Sequence, residues 1–240
     1  RDLSARFSAI ECHQNIQQDA QVTENYGFLK AQPSIIGALA EHFVAMLPTG
    51  IVNRVTPMDI VSLDLPEVKI LSPRKFGDAR GFFSETYNRD AFAAAGLDHV
   101  FVQDNHSFSA TPGTLRGLHF QLPPYAQDKL VRVTRGAIFD VAVDIRRGSP
   151  TFGRWVGAEI SAENWNQIFV PVGFAHGFCT LAPDTEVIYK VTAPYAPESE
   201  RGIAWDDPQL AIDWPLPVAR PILSGKDGEN PLLADSAEVF

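Results

Sequence analysis

From Ile60 onward the chain is cut into short runs rich in Val, Ile and Phe, each ended within a few residues by Gly, Pro or Asp. Runs this short make strands joined by turns, and many in succession make a sandwich or a barrel. The clearest pair is Lys129-Leu130-Val131-Arg132-Val133-Thr134-Arg135 followed, after Gly136, by Ala137-Ile138-Phe139-Asp140-Val141-Ala142-Val143-Asp144. Alternation puts Phe139, Val141 and Val143 on one face and Asp140 and Asp144 on the other. Gly136 is expected to mark a turn or bulge between the two runs. Further strands are expected at Ile168–Val170, Val187–Val191 and Ile203–Trp205. One short helix is expected, with Asn88 as cap, Arg89 to Ala95 as body and Gly96 as terminator. Beyond Asp207-Pro208, prolines at 215, 217 and 221 predict a wrapping segment in place of a sheet strand. The expected class is therefore all-β.

Residues 1–57 have a different texture. They are polar over 1–33, after which Ile35, Ile36, Leu39, Phe43, Met46 and Leu47 share one helical face. Pro33-Ser34 can open that helix and Pro48-Thr49-Gly50 close it. Two readings of this stretch compete: a native N-terminal arm, or residues upstream of the native product. Met58, immediately before the patterned region, favours the second or a loosely held arm. The expected division is thus an N-terminal extension over 1–57 and one β domain over 58–240.

Bulk properties narrow the function. With 240 residues the chain can bury a sizeable core. A net charge of -9 argues against general nucleic-acid affinity, which needs a basic face to displace counterions. It does not argue against a small anion, because cations clustered in a cleft outweigh a distant average. Cys12 and Cys179 make no disulfide framework, so a reducing cytoplasm is the expected location. The longest apolar-rich stretch, Ser34–Leu47, carries Glu41 and His42 and is too short to span a bilayer. No secretory pattern opens the chain.

One stretch points to chemistry. Gly113-Thr114-Leu115-Arg116-Gly117-Leu118-His119-Phe120-Gln121 sets an arginine and a histidine three apart in an apolar run. A half-buried strand seldom carries both a permanent cation and a titratable imidazole unless something polar fills the interior. The pair points to an internal anion site with acid–base chemistry beside it. Strict alternation, however, puts Arg116 and His119 on opposite faces. Both can face one cavity only if the ladder is broken between them, and Gly117 is the expected place for a bulge.

In order along the chain stand Asp78-x-Arg80-Gly81-x-Phe83-x-Glu85, Gln103-Asp104-Asn105, Leu115-Arg116-Gly117-Leu118-His119-x-Gln121 and Gln127-x-Lys129-Leu130-Val131. Then follow Pro171-x-Gly173-Phe174-Ala175-His176-Gly177-Phe178, Tyr189-Lys190, Trp205-x-Asp207-Pro208 and Ser224-x-Lys226-Asp227. From about Ile60 to about Asp227 this set resembles the dTDP-4-dehydrorhamnose 3,5-epimerases, with residues 1–57 outside the match. The resemblance implies a cupin-type jelly-roll β-sandwich, a homodimer, no cofactor, no metal, no membrane or nucleic-acid partner, and a dTDP-4-keto-6-deoxyhexose substrate.

The chemistry implied is inversion at C3 and C5 beside a 4-keto group. It needs a base on one face of the sugar, an acid on the other and a cation at the enolate oxygen. His119 suits the base, since an unperturbed imidazole has a pKa near ~6.5. Tyr189 suits the acid, since a phenol of pKa about 10 keeps its proton at neutral pH. By resemblance Asp227 accepts a hydrogen bond from the His119 ring and Lys129 meets the enolate oxygen. Resemblance also places Arg80 and Arg116 at the diphosphate, Gln103 and Asn105 at the thymine, and Glu85, His176, Glu200 and Lys226 at other substrate positions. Arg80 and Glu85 are expected to reach the neighbouring subunit's site.

Other readings of the same residues stay open. Inversion of C3 alone or C5 alone needs the same groups. Pro171-x-Gly173-x-x-His176 also resembles the second metal-binding motif of cupins, yet positions 117 and 121 are Gly and Gln where a metal cupin supplies histidines. Tyr189 could be a strand aromatic with its hydroxyl at the surface. Cys179 reads as a buried structural thiol. Arg146, Arg147 and Arg154 read as a solvated rim, and Trp205 and Trp214 as packing of the C-terminal wrap.

Overall fold

Alternating apolar residues on short strands require two sheets to face each other, and they do so here. The computed structural model describes residues 58–240; the expected arm over 1–57 and its helix over 34–47 lie outside the described residues. Strands β1 (Met58–Ser62), β2 (Lys69–Pro73), β5 (Gln103–Ser109), β7 (Lys129–Arg135), β10 (Gln167–Val170) and β12 (Thr185–Val191) build a large sheet in the order β1-β2-β10-β7-β12-β5. Strands β6 (Leu115–Gln121), β8 (Ala137–Asp144), β9 (Trp155–Ser161), β11 (Phe174–Thr180) and β13 (Glu200–Gly202) build a smaller one in the order β13-β6-β11-β8-β9. A hairpin of β3 (Phe76–Asp78) and β4 (Gly81–Phe83) stands apart from both. Neighbours distant in sequence lie side by side and run antiparallel, as in a jelly roll. The all-β, cupin-like expectation is met.

The interior between the sheets is filled at one end by Val131, Val133 and Val187 from the large sheet against Ile138, Ala142, Phe174 and Phe178 from the small one. Burying each such side chain contributes roughly 1.5–3 kcal/mol. The outer face of the small sheet is covered by the C-terminal segment, whose Trp214, Leu233 and Phe240 pack over Leu118, Phe120 and Val141. The predicted wrap therefore caps a second apolar face. Helix α1 (Arg89–Ala94) covers part of the outer face of the large sheet, placing Phe92 against Leu71, Leu130 and Phe169. It starts as expected, with Asn88 Oδ1 accepting from the Ala91 N–H at 3.1 Å, and closes at Gly96 with φ +83°.

Gly136 carries the chain from the large sheet into the small one with φ +78°. A Cβ there would lie 2.4 Å from Thr185 Oγ1, so both conformation and space require glycine. Two expectations need correction. The strand expected at Ile203–Trp205 lies earlier, at Glu200–Gly202. Ile203 still exchanges backbone bonds with Leu118 (3.0 and 3.2 Å), but the Ala204 N–H turns to Pro231 O at 2.8 Å and ends the ladder. The apolar run there packs under the wrap. Arg146 is no solvated rim: its Nε and Nη2 donate to the fully buried Asp144 at 2.9 and 2.7 Å. Arg147 and Arg154 are exposed, as expected of a rim, with Arg147 Nη2 donating to Ser236 O at 2.9 Å.

Candidate active site

The end of the interior not filled by apolar side chains is a cavity of about 320 Å³. Its small-sheet wall carries Arg116 and His119 on β6 and His176 and Phe178 on β11. Its large-sheet wall carries Ser107 on β5, Lys129 on β7 and Tyr189 on β12. Glu200 from β13 and Ser224, Lys226 and Asp227 from the C-terminal segment close the rim. An adjoining lobe of about 250 Å³ shares His119, Lys129, Tyr189 and Glu200 and adds Gln103, Asn105, Gln121, Gln127 and Tyr195.

The predicted break at Gly117 builds the small-sheet wall. His119 pairs with His176 and Arg116 with Phe178, so two residues of β6 oppose one of β11. The extra residue restores parity. Arg116 and His119 both face inward, while Leu115, Leu118 and Phe120 all pack outward under the wrap. Gly117 has φ +118°, and a Cβ on it would lie 2.6 Å from Gly177 Cα and 2.7 Å from His176 O.

His119 Nε2 meets Asp227 Oδ1 at 2.6 Å. Burial would raise the Asp227 carboxyl, but the bonds from His119, Ser224 and the Gly117 backbone outweigh it and hold the group below the usual carboxylate range. A second imidazole–carboxylate pair stands on the neighbouring strands, where His176 Nε2 lies 2.9 Å from both oxygens of the fully buried Asp140. Burial pushes the His176 ring below its ordinary value, with Asp140 pulling the other way, so the ring is neutral near pH 7. Each of the two histidines is thus taken by its own carboxylate. Among the described residues no three His, Cys, Asp or Glu side chains converge as a metal ion requires.

Lys129 is buried, donates to His119 O at 3.3 Å, and is pushed down to about 8 by burial against the pull of Asp140 and Glu200. Tyr189 is pushed up by burial, with Arg116 opposing, so the phenol keeps its proton at neutral pH. The residue lines both the cavity and its adjoining lobe. Arg116 Nη2 donates to Phe108 O at 3.2 Å and Ser109 Oγ at 3.3 Å, while its Nε and the nearby Ser107 Oγ have no protein partner among the described residues. Glu200 pairs with Lys226 and accepts from Tyr195 Oη at 2.7 Å. Gln103 Nε2 donates to Asn105 Oδ1 at 2.8 Å, and the Tyr195 N–H donates to Gln103 Oε1 at 3.0 Å.

Ten of the twelve site residues named from the sequence therefore share one cavity. Arg80 and Glu85 do not join it. Arg80 lies on the exposed β3–β4 turn, bonded to Asp78, and Glu85 follows in an exposed stretch. Four residues carried no functional signal of their own in the sequence: Ser107 and Tyr195 lie in no motif, Asp140 marks only a strand face, and Ser224 stands only as the start of Ser224-x-Lys226-Asp227. An aspartate amid a Val-rich run was the one available signal for Asp140. A second hollow of about 330 Å³ lies on the outer face of the large sheet. Its lining includes Tyr87, His106, bonded to Glu186 at 3.2 Å, and Lys190, bonded to Asp104 at 2.8 Å, and it shares only Asn105 with the cavity and its lobe. Among the described residues no helix is long and apolar enough to cross a membrane.

Comparison with known proteins is consistent with this geometry. The family described as dTDP-4-dehydrorhamnose 3,5-epimerase matches residues 62–235. A dTDP-4-dehydrorhamnose 3,5-epimerase of Sinorhizobium fredii (strain NBRC 101917 / NGR234) is 58% identical over 179 residues, 75% of this chain and 91% of that protein. A crystal structure of the Bacillus anthracis str. Ames epimerase with TDP and PPi bound is 52% identical, covers 73% of this chain and 99% of its own, and has a TM-score of 0.70. The dTDP-6-deoxy-D-glucose-3,5-epimerase of Legionella pneumophila Philadelphia 1, in complex with dTDP-4-keto-L-rhamnose, is 49% identical, covers 74% and 93%, and has a TM-score of 0.71.

Proposed function

Because this chain belongs to the dTDP-4-dehydrorhamnose 3,5-epimerase family, we propose that it converts dTDP-4-dehydro-6-deoxy-D-glucose to dTDP-4-dehydro-L-rhamnose by inverting C3 and C5. The observation that carries this reading is an imidazole and a phenol on opposite walls of one cavity, with a buried lysine on the phenol's wall.

At each centre His119 takes the proton alpha to the C4 carbonyl. The C–H electron pair becomes the enolate double bond, and the carbonyl pair moves onto O4, where Lys129 offers its ammonium. Tyr189 then delivers a proton to the same carbon from the other face, the enolate collapses, His119 gives up the proton it took to solvent before the second centre reacts, and the phenolate recovers a proton from solvent. Asp227 fixes the His119 tautomer and steadies the imidazolium once it forms. Arg116 suits the diphosphate as a permanent planar cation on the cavity wall. Gln103 and Asn105 offer amides to a pyrimidine, and the exposed ring of Tyr195 beside them offers a stacking face. His176, Glu200 and Lys226 line the remaining sugar and phosphate wall. Arg80 and Glu85 complete the site of a partner subunit, which makes the homodimer the active form. The catalytic unit is 58–240, and no cofactor enters any step.

In heavy water, deuterium should enter C3 and C5 and no other carbon of the sugar, as read by NMR. His119→Ala should lose this exchange by roughly 10²–10⁴-fold. Tyr189→Phe should keep part of the exchange while the inverted product falls. Exchange at one carbon only would assign a mono-epimerase, and loss of activity on exhaustive chelation would point to the metal-dependent reading.

A further inference from the structure

His119 as base depends on Asp227 standing still, and the tail segment on which Asp227 sits has glycines on both sides, Gly225 and Gly228. A carboxylate in such a turn swings about its terminal torsion unless both oxygens are engaged. Here they are. Oδ1 meets His119 Nε2 at 2.6 Å, and Oδ2 accepts from Ser224 Oγ at 2.9 Å. The same Ser224 oxygen accepts the Asp227 N–H at 3.1 Å, and the Gly228 N–H closes the turn onto Ser224 O at 3.2 Å. The N–H of Gly117, at the bulge that turns His119 inward, reaches Asp227 as well.

We propose that Ser224 is a positioning residue for the base: its hydroxyl clamps the free oxygen of Asp227 and thereby fixes the His119 ring with its other nitrogen toward the sugar. This rests on the reading of His119 as base. Ser224 faces the cavity, but a serine has one hydrogen to donate, and here it goes to the carboxylate. Its effect is therefore on the chemical step and not on substrate affinity. A serine that merely shaped the turn, by accepting the Asp227 N–H, would show its loss as lower stability and would leave kcat of the folded protein unchanged.

The test compares Ser224→Ala, Ser224→Val and Ser224→Thr in the full chain, reading deuterium entry into the 4-keto sugar nucleotide, KM, and affinity for dTDP. Ala and Val should lower kcat for exchange roughly 10- to 100-fold, the size of one hydrogen bond to a charged group, with KM and dTDP affinity unchanged within about twofold. Thr, which keeps the hydroxyl, should stay within about threefold of the parent. A Val variant as fast as Thr, or a loss that appears in KM while kcat holds, would overturn the proposal. Should Ala or Val fold poorly, an Asp227→Asn background decides. There Ser224→Ala should cost nothing further, whereas an additive loss rejects the clamp. His119→Ala is run alongside, and full exchange by that variant overturns the base assignment itself, whatever Ser224 does.

Discussion

An ordinary lysine holds its proton to about pH 10. Lys129 is pushed down to about 8 by burial. Near neutral pH it is mostly charged yet poorly solvated, the condition in which an ammonium gains most from an oxyanion formed beside it. For the free enzyme kcat/KM should therefore fall as pH rises through about 8, read from a pH–rate profile. Lys129→Met should lose activity about 10²–10³-fold and lose that basic limb with it. Stability runs the other way. The unfolded lysine keeps its proton to the ordinary 10.5 while the folded one sheds it near about 8, so the unfolded state binds more protons between them. The Lys129 contribution to stability thus rises with pH across that window. At this scale the sequence was readable for residues whose type is itself unusual in a strand: Arg116, His119 and Lys129. Asp140 and Tyr195 were not, because their importance lies in what they touch. Asp140 meets a histidine 36 positions away, and Tyr195 meets a glutamine 92 positions away.

Among the elements, β6 decides the site. A strand alternates, so an arginine and a histidine three apart diverge unless one residue is inserted between their partners. The conflict was visible in the sequence, and so was its solution at Gly117. What was hidden is the opposing crowding, because the atoms that forbid a side chain there belong to β11, nearly sixty residues on. Gly117→Ala should destabilise the fold by at least about 2 kcal/mol in chemical denaturation, from left-handed backbone plus collision. It should also cost activity beyond its effect on stability, since His119 turns with the bulge. Gly225→Ala is the control: nothing lies within 4 Å of a Cβ there, and stability should stay within about 0.5 kcal/mol. The misplaced strand at Ile203–Trp205 teaches the converse. An apolar triplet meant burial, but the burial was under the tail, and the backbone ladder stopped after Ile203.

For the whole molecule, the hairpin of β3 and β4 is the part a single chain leaves unexplained. Phe76 and Phe83 pair across it and stay exposed, at 53% and 70%, beside an Arg80 that reaches no cavity of its own chain. A second copy of the chain would account for both. Arg80→Ala and His119→Ala chains, each impaired alone, should therefore complement when mixed by co-expression. Half the dimers would be mixed, each with one intact site, giving about a quarter of parental activity in a two-fold dimer. No recovery would mean that Arg80 acts within its own chain or not at all.

The proposed base and acid stand on different walls, His119 on the small sheet and Tyr189 on the large. The gap between them is as wide as the valines, isoleucine and phenylalanines wedged deeper in the sandwich make it. A shift of about 1 Å can cost a reaction some hundredfold. Under the proposed reaction, handedness of the product is thus written partly in oily residues behind the cavity wall, and a chain that keeps every polar group yet thins that wedge would hold the right tools at the wrong reach.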